Sequence, residues 1–270
     1  MNKTIGIVGA GNMATAISHG AKNSGALTGN KFYIYDVNTI AAENLAKALD
    51  TPNAAAAMSI SELTQKCELI IFAVKPNVMD SVLDETSASI DTSKTAVVSI
   101  AAGVTTERLK KHLPDGIRYL RIMPNTPMLC GCGATVFAMP YTLESDEISL
   151  IKQIFESQGT VLEMSESKIS AVTALSGSGP AYAYMLIEAM ADGGVKNGLT
   201  RAEALLLAAK TVEGSAKMVL DTGKHPAVLK DMVCSPGGTT IDGVAALEKD
   251  GFRAAVIDAV DAARKKADIL

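Results

Sequence analysis

KTIGIVGAGNMA, residues 3–14, begins as a short apolar run and breaks into a glycine-rich turn. Residues 3–9 read as a short buried strand, and a helix is expected from the turn to about Ser24. Gly9, Gly11 and Ala14 therefore spell G-x-G-x-x-A in the one context that gives the pattern meaning, between a strand and a helix. Gly9 permits the tight turn. Gly11 lets the backbone approach a pyrophosphate, and Ala14 is small enough for the helix to pack on a sheet. The pyrophosphate would sit at the helix N-terminus, where backbone N–H groups are free. A second strand, Lys31 to Tyr35, ends in Asp36. An acid about 20 residues beyond the glycines accepts hydrogen bonds from the adenosine ribose and repels a 2′-phosphate. The same carboxylate could instead cap the helix expected near Thr39, a task Asn38 serves equally well. Asp36 leans the cofactor toward NADH, while Asn38 and Thr39 leave NADPH open.

Outward from this unit, strands and helices keep alternating. Strands are expected at Asn53–Met58, Glu68–Ala73, Thr95–Ile100, Ile117–Met123, Gly133–Ala138 and Thr160–Met164, with helices between them. Such alternation predicts an α/β, doubly wound, parallel sheet of Rossmann type. Ligands in these sheets bind beyond the carboxyl ends of the strands. VKP (74–76), IAA (100–102) and MPNTP (123–127) fall there. Lys75 reads either as an ordinary exposed lysine or as a partner for phosphate or ribose. From Glu166 onward the sequence is helical. Helices are expected at about Ala181–Lys196, Arg201–Asp221, Pro226–Val233, Ile241–Lys249 and Phe252–Leu270. The domains are set at 1–164 for the dinucleotide-binding half and 165–270 for an all-α half. Small residues at helical spacing, such as Ala183, Ala191 and Gly194, let helices approach closely, and a homodimer through this half is expected.

Composition excludes other classes. Hydrophobic residues make up 48% of the 270 and charged ones 20%, enough for a sizeable core. A net charge of −4 without a basic stripe argues against a nucleic-acid partner. No run of 18 apolar residues exists, so no membrane span is expected. The first strand begins almost at once, which leaves no room for a signal peptide. Cys67, Cys130, Cys132 and Cys234 make no CxxC pair, and the CxC at 130–132 has no second cluster to complete a zinc site. Reduced thiols in a cytoplasmic protein without a metal are expected. The three histidines, at 19, 112 and 225, are scattered without metal-ligand spacing. Ser176 and Ser178 in SGSGP lack the preceding strand of a nucleophile elbow.

The remaining chemistry lies in KDMVCSPGGTTIDG, residues 230–243. Adjacent glycines inside a helical region cost about 1 kcal/mol each relative to Ala, so the backbone there turns or lies against something. The Thr pair opens the next helix, either as the cap of an ordinary helix–helix connection or with N–H groups left free for an anion. Reducing a carbonyl calls for a proton donor such as Lys, His or Tyr. The helix after SGSGP offers no lysine before Lys196. An iminium substrate is already protonated and needs mainly an acceptor for its nitrogen, which a Thr hydroxyl supplies.

GAGNMA, AVKPN, VVSIAAGVT, MPNTP, ALSGSGPAYAY, EAMADGGVKNGL, AAKTVEGSAKMVL and KDMVCSPGGTTI together resemble the pyrroline-5-carboxylate reductase family. The resemblance implies reduction of 1-pyrroline-5-carboxylate to L-proline by NADPH or NADH. It also implies a Rossmann domain followed by a helical dimerisation domain, with dimers often assembling into a decamer. Carried over by position, it places substrate binding at Ser235, Gly238, Thr239 and Thr240, with Thr240 bonding the ring nitrogen, and sets Glu166 near the substrate. It places cofactor binding at Gly9, Ala10, Gly11, Asn12, Met13, Asp36, Ala73, Val74, Lys75, Pro76, Ile100, Ala101 and Ala102. Asp36 stands where NADPH-using members often carry Ser, Thr or Arg, and Met232 replaces an Asn found beside the cofactor in some relatives. A hydroxyacid dehydrogenase and a non-catalytic dinucleotide sensor are the competing expectations.

Overall fold

The computed structural model describes residues 2–269. Its first half forms an eight-stranded sheet in the order β3-β2-β1-β4-β5-β6-β7-β8. The strands are β1 (Thr4–Val8), β2 (Lys31–Tyr35), β3 (Ala54–Ala56), β4 (Leu69–Phe72), β5 (Ala96–Ser99), β6 (Arg118–Met123), β7 (Gly133–Met139) and β8 (Gly159–Ser165). The helices between them are α1 (Asn12–Asn23), α2 (Thr39–Ala48), α3 (Ile60–Lys66), α4 (Met79–Ser87), α5 (Thr106–His112) and α6 (Ser145–Glu156). Side chains alternate across the pleat, so each central strand feeds two cores. Ile5, Ile7, Phe32, Ile34, Leu69, Ile71 and Val98 pack with α1, α2 and α6 on one face. Ile70, Phe72, Val97 and Tyr119 pack with α3, α4 and α5 on the other. Phe137 of β7 meets Phe155 of α6 edge-on, with centroids 5.9 Å apart.

β1 is paired in parallel with both β2 and β4. The connections therefore leave on opposite sides of β1, and the strand order reverses there. The expectation of an all-parallel sheet fails at its far end. β7 runs antiparallel to β6, and β8 follows β7 in parallel. Only residues 124–132 join β6 to β7. A parallel crossover takes about a dozen residues or more, so β7 has to turn back.

Local signals explain the helix starts. Asn38 accepts a hydrogen bond from the Ala41 N–H, Ser59 from the Glu62 N–H and Thr105 from the Arg108 N–H. These caps each satisfy a donor that the first helical turn leaves unpaired.

After β8 the chain enters α7 (Ile169–Val172), which runs on as a π-helical turn, Thr173–Gly177. LSGSGP is therefore not an open loop. Thr173 and Ser176 donate their hydroxyls to the Ile169 and Val172 carbonyls, which leaves Ser176 no nucleophile's posture. α8 (Gly179–Lys196), α9 (Arg201–Thr222), α10 (Pro226–Val233), α11 (Thr239–Lys249) and α12 (Phe252–Ala267) complete the chain. Leu270, at which the last helix was expected to end, lies outside the described residues. Two compact units result, Met1–Gly177 with Ala263–Leu270, and Ser178–Ala262. They part twelve residues beyond the end of β8, after the π turn.

The second unit is thinly cored. Among its described residues only Ala191, Ala204 and Ala208 are buried, with Ile187 packed against them. α8 and α9 approach closely, since a Cβ on Gly194 would lie 3.0 Å from the Ala204 Cβ. Leu206, Leu207, Leu220, Met232, Val233 and Ile257 remain exposed. Burying side chains of this kind contributes about 1.5–3 kcal/mol each.

Candidate active site

A cleft of about 950 Å³ opens beyond the carboxyl ends of β1, β2, β4, β5 and β6, within the first unit. Its lining includes every residue that the sequence assigns to the cofactor, from Gly9–Met13 and Asp36 to Ala73–Pro76 and Ile100–Ala102. Gly9 has φ +108°, and a Cβ there would fall 2.6 Å from the Ala73 carbonyl oxygen. Both conditions exclude an L side chain. The Gly9 N–H donates to the Tyr35 carbonyl at 2.7 Å, which locks the turn to β2. At Gly11, by contrast, a Cβ would meet nothing within 4 Å, and no side chain caps α1. Bare backbone faces open space at a helix N-terminus, the arrangement that suits a pyrophosphate. Ala14 is fully buried against the sheet.

Asp36 has a second role that motif reasoning missed. One carboxylate oxygen accepts the Ala10 N–H at 2.7 Å, and the other accepts the Asn38 N–H at 2.8 Å. It thus ties the glycine turn to the end of β2. Each oxygen retains a lone pair for a ribose hydroxyl. Burial, then the neighbouring Glu85 and Asp36 carboxylates, push the Tyr35 phenol up from its usual range.

Lys75 is exposed beside the 3-10 turn Pro76–Val78, and its ammonium makes no ion pair among the described residues. The turn is braced from outside the cleft. Arg108 of α5 donates to the Pro76 carbonyl at 3.3 Å and to Asp80 at 2.7 Å. That hydrogen bond chiefly holds the Asp80 carboxyl below its ordinary range.

Asn125, Ser81, Val82 and Glu85 also line the cleft. Asn125 lies in the MPNTP loop, where its amide accepts from the Ala134 N–H at 2.8 Å and donates to the Ser176 carbonyl at 3.0 Å. The other three project from α4, and no motif marks them.

Glu166 does not line this cleft. Its carboxylate takes the Thr106 N–H at 2.7 Å, at the start of α5, and the buried Arg121 guanidinium at 2.9 Å. Burial alone would raise its pKa. The Thr106 N–H and Arg121 outweigh burial and hold the group below the usual carboxylate range.

In the second unit, Ser235 to Gly238 form a tight turn, closed by the Gly238 N–H on the Ser235 carbonyl at 3.1 Å. Pro236 presets the first corner, and Gly237, at φ +66°, makes the second, as a type II turn requires. A Cβ on Gly238 would fall 2.3 Å from the Ser235 hydroxyl. α11 starts directly at Thr239 with no side-chain cap. Thr239 and Thr240 are exposed, and their hydroxyls make no hydrogen bond within the described residues. Met232 is exposed as well. Among the described residues no group of three or more His, Cys, Asp or Glu side chains could hold a metal ion.

Comparison with known proteins gives this geometry a lineage. Residues 166–270 match a family model described as pyrroline-5-carboxylate reductase dimerisation, and residues 4–103 match one described as NADP oxidoreductase coenzyme F420-dependent. The chain is 43% identical over 270 residues to pyrroline-5-carboxylate reductase from Escherichia coli (strain K12), covering 100% of this chain and 99% of that one. The chain belongs to the pyrroline-5-carboxylate reductase family. Solved pyrroline-5-carboxylate reductases share the fold throughout. The Streptococcus pyogenes structure has a TM-score of 0.88 at 33% identity, covering 100% of this chain and 99% of that one. The Plasmodium falciparum pyrroline carboxylate reductase with NADP bound has a TM-score of 0.84 at 32% identity, covering 98% and 97%. The pyrroline-5-carboxylate reductase dimerisation match begins at Glu166, where β8 gives way to helix. The oxidoreductase match spans β1 to β5, the strands that carry most of the cleft.

Proposed function

We propose that the protein reduces 1-pyrroline-5-carboxylate to L-proline with NAD(P)H, the last step of proline synthesis. The observation that carries this reading is the PGGTT turn, with unpaired Thr239 and Thr240 hydroxyls at an uncapped helix start. When bound, the reduced nicotinamide supplies the hydride. The chain's own residues do the rest. Gly9 to Met13 present backbone N–H groups to the pyrophosphate. Asp36 takes the adenosine ribose, and Lys75 offers a cation to phosphate or ribose. Ala73 to Pro76 and Ile100 to Ala102 wall the cleft. The Thr240 hydroxyl accepts the N–H of the protonated ring and orients the electrophilic carbon. Because the Gly238 N–H closes the turn, the N–H groups of Thr239 and Thr240 are left to hold the substrate carboxylate beside Ser235. Glu166 serves substrate binding by fixing Thr106 and Arg121.

Asp36 favours NADH over NADPH by repelling a 2′-phosphate. Residues 165–270 act as the dimerisation and substrate domain of a homodimer, and a decamer is the larger assembly that the family resemblance implies. No helix among the described residues is long and apolar enough to cross a membrane. We assign the protein to the cytoplasm.

Steady-state oxidation of NADH and of NADPH, each with 1-pyrroline-5-carboxylate, tests the activity. Turnover of the imine is expected. Oxidation with a keto acid but none with the imine would overturn the assignment.

A further inference from the structure

Two thiols lie outside the chemistry above, on the loop that carries the cleft wall into β7. The 3-10 turn Thr126–Cys130 ends at Gly131, which is left-handed at φ 76° and ψ 12°. Gly131 donates its N–H to the Met128 carbonyl, and Cys132 donates its N–H to the Pro127 carbonyl. A central residue in the left-handed region mirrors helical geometry, so the α-carbons on either side of it approach to about 5.4 Å. Disulfides span Cα separations of about 4.4–6.8 Å. An extended glycine would hold the two cysteines at about 7 Å, beyond that range. Cys130 and Cys132 are both exposed. The Cys130 thiol donates to the Pro127 carbonyl at 3.1 Å.

The remaining cysteines form a contrast. Cys67 is buried in the sheet core, and burial pushes its thiol up to about 12. Cys234 is half-buried at the end of α10.

We propose that Cys130 and Cys132 are a reversible redox pair that closes into a disulfide within the loop and loosens cofactor binding when it does. A small-molecule disulfide such as oxidised glutathione is the oxidant. The Cys130 thiolate attacks one of its sulfurs, which forms a mixed disulfide and releases one glutathione thiolate. The Cys132 thiolate then attacks the Cys130 sulfur, forming the Cys130–Cys132 bond and releasing the second glutathione. Two thiol protons are lost, and the pair of electrons ends on the two glutathiones. A short, exposed ring is the labile kind of disulfide, readily reopened by thiols. Closure removes the Cys130 S–H donor from the Pro127 carbonyl. Pro124 to Thr126, immediately before it, line the cleft. A thiol is a weak donor, so its loss, passed along the loop to the cleft wall, is expected to raise the cofactor KM by about twofold.

The full-length protein would be equilibrated with graded ratios of reduced to oxidised glutathione, quenched with an alkylating agent, unfolded, alkylated again and mapped by mass spectrometry. The peptide carrying Cys130 and Cys132 is expected to lose two hydrogens and escape alkylation as the ratio becomes oxidising, and to recover on reduction. Cys67 and Cys234 remain alkylatable after unfolding. In Cys132→Ser, glutathione stays on Cys130. Alkylation of both loop thiols at every ratio, a bond to Cys67, Cys234 or another chain, or separate glutathiones on both thiols would overturn the site. An unchanged cofactor KM in the mapped disulfide form would overturn the coupling. The mapping needs no turnover, so its failure is distinct from failure of the proposed reaction.

Discussion

At the scale of single residues, Thr240 carries the sharpest expectation. Thr240→Val keeps the shape and removes the hydroxyl. We expect kcat/KM for the imine to fall by about 10–1000-fold, corresponding to about 1.5–4 kcal/mol for one hydrogen bond to a charged group in the transition state. Cofactor affinity and melting temperature should hardly move, because the side chain is exposed and makes no hydrogen bond of its own. Unchanged kcat/KM would remove Thr240 from the mechanism. Asp36→Ser relieves repulsion toward a 2′-phosphate, so the NADPH-to-NADH ratio of kcat/KM should rise about tenfold or more. A uniform loss with both cofactors would instead point to the bonds to Ala10 and Asn38 as the whole role of Asp36. Gly9→Ala forces a side chain into φ +108° and against the Ala73 carbonyl. A destabilisation of at least about 1–3 kcal/mol is expected, read as a lower denaturation midpoint, together with lost cofactor binding. Gly9, Gly11 and Ala14 are legible in the sequence because strand, turn and helix are local. The bond from Asp36 to the Ala10 N–H is not, because it joins segments that only the sheet brings together.

At the scale of elements, the strand and helix order is legible almost throughout, since the elements carry their own periodicity and α2, α3, α5 and α9 their own side-chain caps. The direction of β7 is not a property of β7. It follows from the brevity of residues 124–132, a loop-length argument rather than a pattern. Glu166 shows the same limit. Its position at the head of the helical half is plain in the sequence, but its attachment to α5 and β6 is a tertiary fact. This attachment has a pH signature. The folded-state pKa of Glu166 lies below its ordinary 4.5, so its ionised form contributes stability above that value. The contribution disappears as pH falls through the lower folded pKa. Glu166→Gln should therefore be less stable than the parent at neutral pH, and the gap should narrow under acid, below about pH 4.5, as measured by denaturant unfolding across pH. A gap that widens under acid would contradict the depressed pKa.

At the scale of the molecule, the Ser178–Ala262 unit cannot be understood as a free-standing bundle. α9 turns about 100° per residue, so Leu207 and Met218 share one flank, bordered by the charged stripe of Lys210, Glu213 and Lys217. Leu207 and Met218 are exposed in the isolated chain. Sedimentation of the protein should show a dimer or a larger even assembly. Leu207→Glu should shift it toward monomer and lower its melting temperature; unaltered sedimentation would place the interface on another face. The expectation of a dimer came from small residues at helical spacing, yet the decisive quantity is how little they bury. Three alanines are the whole buried core of that unit. Its folding is consequently subject to mass action: protomer concentration enters its stability as a ligand concentration would, so dilution acts on this protein as a mild denaturant.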